Sequence, residues 1–215
     1  MAKTESQILN GYKGINALIF DLGGVIINLD ISQTIKAFVE LSGIDQEKLV
    51  RDYWHHEMFH KYERGEVSDE AFREFLRDLL KIEATDEQLD KAWNAMIFDI
   101  PQDRLRLLDR LSRNYEIFLL SNTNNIHLKR VNEVFEPLNG EVLDDYFTYA
   151  YYSNHMGMRK PNTDIFEKVI ANHDLDPVRT LFLDDNKDNI QGAQAVGLQT
   201  FQVAHPDEIK TLFDE

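Results

Sequence analysis

The sequence predicts an α/β protein: a parallel sheet covered by helices on both faces and interrupted by a purely helical insertion. Three observations predict it. Short apolar runs closed by polar residues recur at 17–21, 115–121, 180–185 and 199–203, the pattern of strands buried on both faces. Segments with apolar residues at helical spacing lie between them, and alternation of strand and helix builds a parallel sheet. The stretch from 31 to 100 instead carries one helical pattern after another and no convincing strand.

The elements follow in order. Ala17 to Phe20 run directly into Asp21, and Gly23-Gly24 punctuate the end of this first strand. The insertion reads as helices over "SQTIKAFVELSG", "QEKLVRDYWHHEMFHKY", "SDEAFREFLRDLLK" and "TDEQLDKAWNAMI". Ser68, followed by Asp69 and Glu70, is an N-cap with acids in the first turn. Asp99-Ile100-Pro101 closes the insertion. A helix over 103–113 presents Leu105, Leu107, Leu108 and Leu111, and one over 162–173 presents Ile165, Phe166, Val169 and Ile170. "FTYAYYS", 147–153, is a further candidate strand. The expected organisation is a core of residues 1–30 and 101–215 with a helical cap of 31–100 inserted into it.

Composition narrows the function classes. The chain has 215 residues, 43% of them hydrophobic, enough for a sizeable core. A formal net charge of -15 repels phosphate backbones, so nucleic acid is not an expected partner. With no cysteine, disulfides, thiol catalysis and thiolate metal sites are excluded. No apolar run approaches the ~18 residues of a membrane span, and the N-terminus lacks a signal-peptide core. The expectation is a soluble, cytoplasmic protein with no membrane partner.

In parallel α/β sheets, ligands bind beyond the carboxyl ends of the strands. Four groups of polar residues stand there. Asp21 ends the first strand, Ser121-Asn122 the second, and Asp184-Asp185 a later one, with Asp188 just beyond. Lys160, before a proline in "GMRKP", lies between the last two in the chain. Each alone reads as a turn residue, a helix cap or a solvated side chain. Converging on one sheet edge, they mean more. Gathered carboxylates repel one another unless a cation sits among them, and hard oxygen donors without His or Cys favour Mg²⁺. Mg²⁺ beside a lysine and a hydroxyl suits a phosphoryl group, which a carboxylate can then attack.

These residues resemble the haloacid dehalogenase (HAD) superfamily. "DLGGV" at 21–25, "LLSNT" at 119–123, "RKP" at 159–161 and "FLDDNKDNIQGAQAVG" at 182–197 match its four motifs in order. The resemblance runs from about residue 16 to 204. It is nearest to the subfamily IA sugar-phosphate phosphatases, related to bacterial α-D-glucose-1-phosphate phosphatases and to the phosphatase half of soluble epoxide hydrolases; "YERGEVSDEAF", 62–72, resembles that subgroup's cap. Two-component receiver domains also combine paired acids, a hydroxyl and a lysine, but there the paired acids come first. The resemblance implies a Rossmann-like parallel-sheet core with a C1-type helical cap, and a Mg²⁺-dependent phosphatase acting on a small phosphorylated metabolite through an aspartyl-phosphate. It implies Asp21 as nucleophile and metal ligand, and the Gly23 carbonyl as a further ligand. Ser121 and Asn122 would bind phosphoryl oxygens, and Lys160 would steady nucleophile and phosphate. Asp185 would complete the metal site, with Asp184 as a ligand or a support to one.

One departure matters. The family usually carries a second Asp two residues after the nucleophile, which protonates the leaving oxygen and later activates water; here that position is Gly23. Such acid–base help is worth ~10²–10⁴-fold. Three readings stay open. The expected one is a phosphatase whose leaving group needs little protonation, such as the anomeric oxygen of a sugar 1-phosphate; the resembled subgroup also tolerates Gly here. The second is a phosphonatase-like carbon–phosphorus hydrolase with a Schiff-base lysine from the cap, Lys36, Lys48 and Lys61 being candidates by position. The third is a non-catalytic, phosphate-binding regulatory protein, against which the intact nucleophile, lysine and acid pair argue. A dehalogenase would leave the metal station without a purpose.

In the cap, "DYWHHEMFH" carries Trp54, His55, His56, Phe59 and His60. His56 and His60 share a helical face, but zinc would need a third ligand that is not evident. Tyr62, Glu63 and Arg64 lie just before Gly65, and Glu63 and Arg64 are the candidate specificity residues. Trp93 and Phe98 read as cap packing.

Overall fold

The computed structural model describes residues 11–52, 56–136, 140 and 142–213. Trp54 and His55 lie outside the described residues. Strand β1 (Ala17–Phe20) leads into α1 (Ile31–Ser42), α2 (Gln46–Asp52), α3 (Glu57–Glu63), α4 (Asp69–Leu80) and α5 (Asp86–Trp93). The chain then alternates: α6 (Gln102–Ser112), β2 (Glu116–Ser121), α7 (Asn125–Val134), β3 (Tyr149–Tyr152), α8 (Ser153–Met156), α9 (Thr163–Asn172), β4 (Thr180–Asp184), α10 (Lys187–Ala195), β5 (Gln199–Gln202) and α11 (Glu208–Phe213). All five strands are parallel, in the order β3-β2-β1-β4-β5.

Strand alternation builds two apolar layers. Leu18, Phe20, Ile117, Leu119, Leu181 and Leu183 join one cluster, while Ala17, Ile19, Phe118, Leu120 and Phe182 join the other. Side chains of a strand point alternately to the two faces, so a central strand must be apolar at every position. Each fully buried Leu or Phe contributes roughly 1.5–3 kcal/mol relative to exposure. The chain crosses from one side of β1 to the other between β3 and β4, so β1 stands at the switch point where such sheets bind ligands.

Between β1 and α6 the described residues hold helices and no strand longer than an isolated bridge. The helices enclose their own cluster, including Phe38, Tyr62, Phe72, Leu76, Leu89 and Trp93, completed from α7 by Ile126. Ser68 caps as the sequence indicates, its side chain accepting from the Ala71 N–H, and the structure adds a reciprocal capping box of Thr85 and Gln88. One expectation fails. Residues 46–62 do not form a single helix; α2 ends at Asp52 and α3 begins at Glu57. His56 is the N-cap of α3, its Nδ1 accepting from the Met58 N–H at 3.1 Å. His56 and His60 therefore do not share a continuous helix face. The chains entering and leaving this segment lie side by side: the Asn28 N–H donates to the Asp99 carbonyl, Phe98 N–H to Asn28, and Asp30 N–H to Met96. Leu29 and Ile97 face each other in this antiparallel ribbon. Trp93 packs inside, but Phe98 is exposed, because the ribbon turns its side chain outward.

Candidate active site

Strand register assembles the site. Phe20 pairs with Leu119 on one side and Leu183 on the other, so Asp21, Leu120 and Asp184 fall in one row across three strands. Lys160 enters that row. Its Nζ donates to Asp21 Oδ1, the Leu120 carbonyl and Asp184 Oδ2, each at 2.7 Å. An ammonium has three protons, and all three are used. Lys160 can therefore act on a bound anion through its charge, not through a further N–H.

The two acids of the pair differ. Asp184 is fully buried and saturated: besides Lys160 it accepts from the Asn186 N–H at 2.8 Å and from Asn189 Nδ2 at 3.0 and 3.1 Å. Asp185, one residue past β4, is exposed. Carboxylate oxygens of Asp21, Asp184 and Asp185 nevertheless lie within 4.8 Å of one another, the one such cluster among the described residues. His56 and His60 do not belong to a metal-ligating group there; His60 Nδ1 faces Glu57 at 3.3 Å.

Burial pushes the Asp21 carboxyl up to about 7; Lys160 pulls against this, and Asp184 adds to it. Burial and the Asp184 charge likewise hold Asp185 above its usual range. For Lys160 burial disfavours the charge, but Asp184 and Asp21 outweigh it and the net effect is upward. With all three ionised, as a bound cation would favour, three carboxylates against one ammonium leave two uncompensated negative charges. Hard oxygen donors with that charge deficit suit Mg²⁺.

Two glycines shape the approach to Asp21. Gly24 adopts a left-handed φ of 69°, and a Cβ there would sit 2.5 Å from Asp185 Oδ2. The glycine-specific backbone at this strand end is that of Gly24. Gly23 has an ordinary backbone, and a side chain there would meet Leu29.

At the β2 end, the Asn122 side chain is spent on the backbone of Lys160: Nδ2 donates to the Lys160 carbonyl at 2.8 Å, and Oδ1 accepts the Lys160 N–H at 2.9 Å, which leaves its main chain for the phosphoryl contact the sequence assigns to it. It splints the lysine's backbone in place. Ser121 is buried one residue further along β2, level with Tyr152 of β3. Asp188 is exposed in the first turn of α10 and does not cap it; Asn186 does, accepting from the Asp188 and Asn189 N–H groups.

Glu63 Oε2 accepts from Arg159 Nε at 2.8 Å, which ties the end of α3 to the residue before Lys160. Arg64 pairs with Glu57 and Glu66, so its charge is committed within the helical segment rather than toward the sheet. Lys36, Lys48 and Lys61 are exposed and lack the desolvated pocket a Schiff-base lysine needs. Sequence reasoning missed Ser153. It is fully buried at the end of β3, accepts from the Thr123 N–H at 2.9 Å and donates to the Glu63 carbonyl at 2.6 Å. A polar residue at a strand's carboxyl end was the signal that could have found it. Asn189, the partner of Asp184, sits in the quoted "DDNKDN" run without any pattern of its own.

The family model for haloacid dehalogenase-like hydrolases matches residues 15–197. The chain belongs to that family and is an enzyme. It is 32% identical over 188 residues to D-ribitol-5-phosphate phosphatase of Bacteroides thetaiotaomicron, covering 87% of this chain and 91% of the relative. A HAD family enzyme from the same organism, solved with magnesium and inorganic phosphate, superposes with a TM-score of 0.83 at 36% identity over 94% of this chain and all of the other. A predicted HAD-like family hydrolase from Porphyromonas gingivalis superposes at 0.80 with 32% identity, over 94% of this chain and all of that one. Mg²⁺ is the family's metal and the one this donor set fits.

Proposed function

We propose that this phosphatase hydrolyses small sugar or sugar-alcohol phosphates through an aspartyl-phosphate on Asp21. The observation that carries the reading is Lys160 Nζ held at 2.7 Å from both Asp21 and Asp184, in a row set by strand register. Asp21, Asp185 and the Gly23 carbonyl would hold the metal, with Asp184 orienting Lys160. Bound Mg²⁺ would offset the repulsion between a carboxylate and a phosphate dianion. Asp21 supplies the attacking oxygen, Lys160 keeps it ionised and aimed, and Ser121 faces the phosphoryl oxygens. Residues 31–100 act as a lid over the leaving group, anchored by Glu63 to Arg159 and Ser153. Glu63 is then an anchor of the lid rather than a contact to substrate.

Within this substrate class, the absent acid at Gly23 favours a sugar 1-phosphate, whose hemiacetal oxygen departs more easily than an ordinary alkoxide. The similarity to a D-ribitol-5-phosphate phosphatase favours a second reading, a polyol ester of a primary alcohol. Phosphate release across sugar 1-phosphates, 6-phosphates and pentitol 5-phosphates, with and without Mg²⁺, separates the two. We expect Mg²⁺-dependent turnover that Asp21→Asn lowers by ~10⁴-fold or more without unfolding the protein. A folded Asp21→Asn protein with near wild-type turnover would refute the covalent mechanism.

A further inference from the structure

The carboxylate missing at Gly23 leaves a place, and that place is filled. A Cβ at Gly23 would run into Cδ1 of Leu29, with Leu29 Cγ 3.4 Å away, and would meet no other group within 4 Å. Gly23 does not hold a left-handed backbone. Only Leu29 therefore stands between this position and a side chain. Leu29 is 38% exposed, set in the ribbon where the chain leaves and re-enters the core. That ribbon fixes it from both sides through the Asn28–Asp99, Phe98–Asn28 and Asp30–Met96 backbone hydrogen bonds, with Asn28 Nδ2 also donating to Asp99 Oδ1 at 2.9 Å.

We propose that Leu29 is a specificity-determining residue for the phosphatase reaction: its isobutyl group occupies the place of a proton-donating carboxylate beside Asp21 and lines the leaving-group side of the site with an apolar wall. The inference rests on the phosphatase reading above. In the first step a bond forms between an Asp21 carboxylate oxygen and phosphorus as the phosphorus–ester oxygen bond breaks. The electron pair stays on the leaving oxygen, which takes its proton from water rather than from residue 23. In the second step a water oxygen bonds to phosphorus, Asp21 departs as carboxylate, and the water's proton passes to solvent. A leaving oxygen without an enzyme donor makes the rate steeply dependent on its acidity. Leu29 and Gly23 are then a coupled pair, and neither change alone restores the donor.

A double-mutant cycle tests this with Gly23→Asp, Leu29→Ala and their combination. Rates are measured on para-nitrophenyl phosphate, phenyl phosphate and a hexose 6-phosphate, beside thermal midpoints. Gly23→Asp alone should lower the midpoint and the rate on every ester. In the Leu29→Ala background the same substitution should be tolerated. There it should raise the rate on the 6-phosphate by ~10²-fold relative to Leu29→Ala, with little change for para-nitrophenyl phosphate, flattening the dependence on leaving-group acidity. Equal effects of Gly23→Asp in both backgrounds, or a folded double variant with the wild-type dependence, would overturn the assignment. Gly23→Ala adds only the Cβ and keeps the cycle readable if the aspartate variants do not fold: its loss of midpoint should vanish with Leu29→Ala. Failure of the phosphatase reading has a different signature, no Mg²⁺-dependent phosphate release by wild type from any ester, and the midpoint cycle still reports the Leu29–Gly23 coupling.

Discussion

Lys160 has three protons and meets three acceptors, Asp21, the Leu120 carbonyl and Asp184. A buried ammonium is stable only when paired in this way, and removing one partner would strand a charge. The same reasoning separates the neighbouring acids. Asp184 is saturated by Lys160, Asn186 and Asn189, whereas Asp185 is exposed within carboxylate distance of Asp21. Asp188, in the first turn of α10, is outside that cluster. Asp185→Asn should therefore raise the Mg²⁺ concentration for half-maximal activity by at least ~10-fold, and Asp188→Asn should leave it in place. An activity titration against Mg²⁺ on both variants checks this; equal shifts would remove Asp185 from the metal site. The identities of Asp21, Ser121, Lys160 and Asp185 as candidates were legible because each lies at a strand end or beside a proline. The roles of Asn122 and Asp184 were not, since both depend on which atom the lysine reaches across the sheet.

Between elements, α7 binds the helical segment to the sheet through His127. Its ring stacks on Trp93 of α5, with centroids 4.7 Å apart and planes 11° from parallel, and Nδ1 lies 2.9 Å from Asn94 Oδ1. Burial pushes His127 down to about 3, so the ring is neutral at physiological pH. An unfolded histidine takes up its proton near 6.5. Between about 6.5 and 3 the unfolded chain therefore binds more protons than the folded one at this site. The stability linked to a neutral His127 is complete above pH 6.5 and is lost progressively as pH falls toward 3, by at most about 1.4 kcal/mol per pH unit. Denaturant unfolding at pH 7 and pH 5 should show a smaller difference for His127→Gln than for wild type; an unchanged difference would free the ring from this role. The break between α2 and α3 belongs to the same scale. The residues on both sides of it have helical composition, and among the described residues the side chain of His56, accepting from the Met58 N–H, caps the new helix. A cap of that kind has no periodicity to announce it.

At the scale of the molecule, the net charge of -15 and the gathered carboxylates lead to one expectation: cations should stabilise this protein, one of them at the Asp21, Asp184 and Asp185 cluster. Mg²⁺ at ~100 times its dissociation constant should add about 2.7 kcal/mol to stability and raise the thermal midpoint by roughly 5–10 °C. The shift should exceed that of NaCl at matched ionic strength and should shrink in Asp185→Asn; equality with NaCl would mean screening alone. No helix among the described residues is long and apolar enough to cross a membrane. What the sequence determined by itself was the order of things along the chain: buried strands read at 17–21, 115–121 and 180–185 and found at Ala17–Phe20, Glu116–Ser121 and Thr180–Asp184, polar residues at their carboxyl ends, and a helical stretch between the first strand and the rest. These follow from local periodicity and from the rule that central strands are apolar throughout. What the tertiary structure alone decided was which groups touch: Asn122 on the backbone of Lys160, Glu63 on Arg159, Ser153 between Thr123 and Glu63, and Leu29 over Gly23. Those contacts join residues up to 96 positions apart, through strand register and the packing of an inserted segment. Neither register nor docking is written in the spacing of residues along one chain, because each depends on the faces that two distant segments present to one another.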